Sequence, residues 1–97
     1  MARFRNVLLA LDVDEERIAD TGLVAAEQAF RVARAHGASV SLVHVFDVSE
    51  KLRDEMLQSP DSAAGRHYRA VQGMLEDLAA TAQEIPVQTR LLFGTHW

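Results

Sequence analysis

Residues 30–47 read FRVARAHGASVSLVHVFD, and the fold is decided inside this stretch. Its first half closes a helix: Leu23, Ala26, Phe30 and Ala33 recur at helical spacing, which lays one apolar stripe along the side that meets a sheet. Gly37, preceded by Arg34 and His36, is a stop signal, because glycine enters the left-handed C-terminal conformation at little cost and cations suit the negative end of a helix. The second half, Ser39 to Phe46 (SVSLVHVF), is rich in β-branched and apolar residues. It alternates at first and is continuous later, as expected of a central strand.

Upstream, Asn6 to Leu11 (NVLLAL) is a short, nearly continuous apolar run, the pattern of a strand buried on both faces of a parallel sheet. Asp12-Val13-Asp14-Glu15-Glu16 then reads as a solvated acidic loop, and Asp20 or Thr21 as the cap of the first helix. Downstream, Glu50 to Leu57 predicts one or two helical turns with Leu52, Met56 and Leu57 on one side, interrupted by Ser59-Pro60-Asp61. From about Ala64 to Glu84, the three-four spacing of Tyr68, Val71, Leu75, Leu78 and Ala82 predicts an amphipathic helix. Gly73 is its weak point, costing on the order of 1 kcal/mol relative to Ala unless something packs closely there. Pro86 introduces a third strand, Val87 to Phe93 (VQTRLLF), and Gly94-Thr95-His96-Trp97 reads as a turn into another helix with Thr95 as its cap. The order strand, helix, strand, helix, strand is the βαβαβ pattern of a doubly wound parallel α/β sheet.

Composition narrows the function. Ninety-seven residues, 48% hydrophobic and 25% charged, fit one globular unit with a modest core. No run approaches the roughly 20 apolar residues of a membrane span, and the start MARFRNVLLALDVDEE has no signal-peptide pattern, so a cytoplasmic protein without a membrane partner is expected. A net charge of −4 with dispersed basic residues argues against nucleic acid as a partner, since the phosphate backbone rewards clustered Lys and Arg. The absence of cysteine removes disulfides, thiolate metal sites and cysteine nucleophiles together. His36, His44, His67 and His96 show no i, i+4 pairing, so no metal is expected. Ser39 and Ser41 lie within a strand and lack a nucleophile elbow. His44 reads as a hydrogen-bonded core histidine, and Phe93 and Trp97 as packing residues.

Three segments carry a family resemblance: NVLLALD, FRVARAHGASVSLVHVFD and LLFG together resemble universal stress protein domains over nearly the whole chain. The resemblance implies an adenine-nucleotide fold with sheet order 3-2-1-4-5, of which residues 1–97 would be the single but C-terminally incomplete domain, a partial sheet. It implies a non-enzymatic module, with ATP or another adenine nucleotide as cofactor and a homodimer as the working form. It also implies a nucleoside site at Ala10, Leu11, Asp12 and Val45, with Asp12 contacting the nucleoside and the Val45 backbone reading adenine. Asp12 and Val45 sit at the carboxyl ends of the first two strands, where open parallel sheets bind ligands. Read on their own residues, Asp12 equally suits a turn or cap and Val45 plain core packing.

Two departures weaken the nucleotide reading. Val13-Asp14 replaces the small residues usual in the family, and Asp14, Glu15 and Glu16 would repel a polyphosphate. The family's Gly-x-x-Gly phosphate motif is absent, and Gly22, Gly37, Gly65, Gly73 and Gly94 cannot replace its backbone N–H cradle. Weak nucleotide binding is therefore expected, with a ligand-free dimerisation or interaction module as the alternative. In the implied order the first strand lies at an edge of this chain, so two copies are expected to join there, antiparallel about a two-fold axis, or a swapped segment to cover it, the alternative being a longer natural chain whose own fourth strand takes that place.

Overall fold

The computed structural model describes residues 6–14, 17–82 and 84–94. In chain order the elements are β1 (Asn6–Ala10), β2 (Val13–Asp14), β3 (Arg17–Ile18), α1 (Asp20–His36), β4 (Ser39–Asp47), α2 (Glu50–Gln58), α3 (Ala63–Ala80) and β5 (Val87–Gly94). The main sheet has three strands in the order β1-β4-β5, both pairings parallel, with Asn6 level with Ser39 and Val40 level with Val87. The expected α/β fold with a partial parallel sheet is present, with Ser39–Asp47 at its centre. Among the described residues no helix is long and apolar enough to cross a membrane.

Burial explains why these segments form these elements. Val40, Leu42 and Phe46 point alternate side chains into one core with Ala26, Phe30 and Ala33 of α1 and Val71 and Leu75 of α3. Both long helices thus cover the same face of the sheet. Gly37 ends α1 in the left-handed conformation at φ 65°, ψ 32°, which confirms the stop read from the sequence. The opposite face is uncovered by any helix among the described residues. Its Leu8, Val45 and Leu92 remain 69%, 48% and 47% exposed.

That open face corrects the expectation for β1, which is buried on one face only: Val7 and Leu9 pack on the core while Leu8 projects outward. An apolar run alone does not reveal that a strand lies at the sheet's edge. The acidic loop is also corrected. Val13 and Asp14 pair antiparallel with Ile18 and Arg17, and Ile18 is 8% exposed, so burial of one isoleucine folds the segment back as a hairpin. Neither Asp20 nor Thr21 caps α1. Ala19 holds the cap position without a side-chain bond, and Asp20 pairs instead with Arg17 at 3.0 Å. Leu23 lies 41% exposed, at the rim of the α1–α3 groove. In α2 only Met56 is buried, while Leu52 and Leu57 face solvent. The helix after Pro60 stops at Ala80, short of Glu84. Gly94 closes β5 and opens no turn within the described residues, and the Thr95 cap, His96 and Trp97 lie outside them.

The two glycines of α3 separate cleanly. A Cβ at Gly65 would run into the Ser59 carbonyl oxygen and the Pro60 Cα, because the turn from α2 crosses the helix start there, with Ser62 as its cap. A Cβ at Gly73 would meet nothing within 4 Å. Gly73→Ala is therefore expected to stabilise the fold by about 0.5–1 kcal/mol, and Gly65→Ala to destabilise it by roughly 1–3 kcal/mol through forced backbone movement. Urea midpoints of the two variants check both signs. A destabilised Gly73→Ala would show that the helix packs more closely at that point than the structure indicates.

Candidate functional site

The carboxyl end of the sheet is pinned by backbone and aromatic contacts. The Leu11 N–H donates to the Val43 carbonyl at 2.8 Å, extending the β1–β4 ladder one residue past β1. The Leu11 carbonyl lies 2.8 Å from His44 Nδ1, and since a carbonyl only accepts, the imidazole proton sits on Nδ1. The His44 ring meets Phe46 edge-on at 4.8 Å. Phe46 in turn touches Phe93 at 5.4 Å, Tyr68 at 5.5 Å and His67 at 6.0 Å. The hydrogen bond expected of His44 is present, but the residue is half-buried and not in the core, and Phe93 is a packing residue within this cluster.

On this platform the four candidate residues take different positions. Ala10 is exposed at the last position of β1, level with Val43. Val45, two residues on and level with Leu92, opens to the uncovered face. Asp12 follows Ala10 at the same end, and its carbonyl accepts from the Ala19 N–H at 3.2 Å. Its carboxylate is exposed and caps nothing among the described residues, so the turn-or-cap reading applies to its backbone and not to its side chain. Leu11 turns the other way, 2% exposed in the core. With its N–H and C=O already engaged, it positions the β1 end and offers a ligand no open surface. Three of the four therefore share one exposed shelf, and the fourth supports it from beneath.

The shelf is open. The hollow of about 450 Å³ between α1 and α3, lined by Leu23, Phe30, Arg34 and Leu78 among others, lies elsewhere. Among the described residues no group of three or more His, Asp or Glu side chains is placed to hold a metal ion. Ser39 and Ser41 prove to be structural. Asn6 Nδ2 donates to Ser39 Oγ at 2.7 Å and Ser41 Oγ donates to Asn6 Oδ1 at 3.0 Å, a cross-strand tie between β1 and β4. Asn6, Ser39 and Ser41 share strand parity, a signal present in the sequence once the register is known.

Comparison with known proteins agrees with the fold and with the family resemblance. The model of the universal stress protein family matches residues 3–96. A universal stress protein crystallised in complex with cAMP superposes with a TM-score of 0.50 at 19% identity, covering 93% of this chain and 54% of that one. Universal stress protein UspA from Lactobacillus plantarum superposes with a TM-score of 0.57 at 22% identity, covering 98% of this chain and 64% of that one. The chain thus spans less than two thirds of the length of either solved structure. No curated protein matches it.

Proposed function

The chain belongs to the universal stress protein family, and from that premise we propose that it is a non-enzymatic, cytoplasmic, homodimeric module that binds an adenine nucleotide through base and ribose. The observation that carries this reading is the exposure of Ala10, Asp12 and Val45 together at the carboxyl end of the sheet, the position at which open parallel sheets take ligands. The Asp12 carboxylate, exposed and without a partner among the described residues, is an acceptor suited to ribose hydroxyls, and the end of β4 at Val45 is apolar enough to lie against a purine. The cAMP complex of a structural neighbour makes a nucleotide with a single phosphate a natural probe.

Phosphate contributes little in this reading. Positioned backbone N–H groups are what hold phosphate in such folds, and no glycine stands in the segments that follow β1 and β4. Adenosine, cAMP and ATP should therefore bind this chain with dissociation constants within about tenfold of one another, which is 1.4 kcal/mol. All three should be weaker than about 1 µM, the equivalent of roughly 8 kcal/mol. Isothermal titration of the three ligands, repeated with Asp12→Ala, is the test: the variant should lose most of the affinity for each. A submicromolar constant for ATP alone would sink the reading, and so would affinities that Asp12→Ala leaves untouched.

A second reading, a ligand-free interaction module, is favoured by the uncovered sheet face with Leu8, Val45 and Leu92 exposed. Absence of heat for every nucleotide would select it.

A further inference from the structure

The ladder between β1 and β4 ends on a side chain. Its register runs from Asn6 level with Ser39 to Ala10 level with Val43, and the Leu11 N–H adds one bond more, to the Val43 carbonyl. In a parallel pair the next bond would run from the Val45 N–H to the Leu11 carbonyl, because a residue that donates to the neighbouring strand accepts from it two positions further on. That bond does not form. The Leu11 carbonyl takes the Nδ1–H of His44 at 2.8 Å instead. The imidazole is held in this pose by its edge-on contact with Phe46 at 4.8 Å, and Phe46 is stacked on Phe93 at 5.4 Å. Along β4 the Val40 N–H donates to Pro86, on the β5 side, so by alternation the Val45 N–H turns to the β1 side. It faces the space beyond the end of β1, where no hydrogen bond takes it among the described residues.

We propose that His44 is a positioning residue of the nucleoside shelf: by giving the Leu11 carbonyl its donor, it keeps the Val45 N–H out of the ladder and free to donate to a ring nitrogen of the bound base. Two needs compete at this strand end. Leu11 is 2% exposed, and a buried carbonyl without a donor is costly. If the nearest backbone N–H satisfied it, that N–H would be consumed and β4 would zip to β1 one step further. The half-buried imidazole removes the conflict. A backbone donor then remains on the same shelf as the exposed Asp12 carboxylate, an acceptor, and the two suit a molecule that carries a ring acceptor and hydroxyl groups together. His44 acts through Leu11 and not by touching the ligand. The inference rests on the nucleoside reading given above.

Amide hydrogen exchange at Val45, followed by NMR without ligand, and titration with adenosine test it together. In the unmodified chain the Val45 amide should exchange at close to the rate of an unstructured chain. His44→Leu removes the donor and keeps an apolar side chain against Phe46, so the Leu11 carbonyl should claim the Val45 N–H: exchange there should slow at least about tenfold, and adenosine should bind at least about tenfold more weakly. His44→Asn, whose side-chain amide can donate from near the position of Nδ1, should exchange and bind like the unmodified chain. A protected Val45 amide in the unmodified chain, an unchanged Val45 rate or adenosine affinity in His44→Leu, or a His44→Asn variant that behaves like His44→Leu would each overturn the proposal. Failure of adenosine to bind the unmodified chain would overturn the nucleoside reading and the ligand assigned to this N–H, whereas the exchange rates judge the arrangement of Leu11, His44 and Val45 with no ligand present.

Discussion

Leu75→Ala is expected to lower the unfolding free energy by about 2–5 kcal/mol. Leu75 is 0% exposed in the middle of α3, in one cluster with Val71, Phe30, Val40 and Leu42. Its truncation leaves a cavity between helix and sheet that the flanking strand and helix cannot close without losing contacts of their own. A domain of this size is stable by only on the order of 5–15 kcal/mol, so one such change removes a large share of the total. The same substitution at Leu57, 53% exposed on α2, should cost within about 0.5 kcal/mol. Urea titration of the pair is the measurement, and similar midpoints for both would mean that the α3 stripe does not face the sheet.

Phe46→Ala should be as damaging, at about 3–5 kcal/mol, for a different reason. The Phe46 ring, 4% exposed, is the hub through which His44, His67, Tyr68 and Phe93 touch. Removing it deprives four partners at once, at the end of the sheet that carries Asp12 and Val45. Phe46→Leu separates the two contributions: it keeps most of the apolar burial and loses only the ring-to-ring geometry, worth about 0.5–1.5 kcal/mol per pair. If Leu restored nothing relative to Ala, burial would not be the dominant contribution. If it restored everything, the ring contacts would be incidental.

Much of this architecture was legible because its signals are local. The Tyr68-Val71-Leu75-Leu78 spacing, the His36-Gly37 stop and the unbroken SVSLVHVF run each specify an element without reference to distant residues. What was not legible depends on neighbours remote in sequence. The exposure of Leu8 follows from its side chain projecting onto the face that no described helix covers, as Val45 and Leu92 do, and an apolar run reads the same whether one face is covered or both. The Val13–Ile18 hairpin forms because Ile18 finds Leu11 and α1 beneath it, a gain that five largely acidic residues do not advertise. Leu52 and Leu57 share the spacing of a buried stripe yet face solvent, because Met56 is the one residue of α2 that reaches the core. In the candidate site, the sequence locates Asp12 and Val45 at strand ends. It does not show that Leu11 turns inward, since that depends on His44 claiming its carbonyl across the sheet.

The parallel register has a consequence for biosynthesis. Asn6 pairs with Ser39 and Val40 with Val87, so apart from the two-residue hairpin no strand can pair with anything made shortly before it. At about 5–20 residues per second, β1 and β4 leave the ribosome roughly 2–7 s apart, and over that interval β1 is out without its partner strand. Nascent chains stalled with β1 outside the ribosome and β4 still inside it are expected to be cleaved readily by protease, while chains stalled after β4 has cleared it should resist. The central strand is thus the step on which safe production of the protein turns, and slowing translation while β4 is still within the ribosome should raise the aggregated fraction even though the finished fold is unchanged.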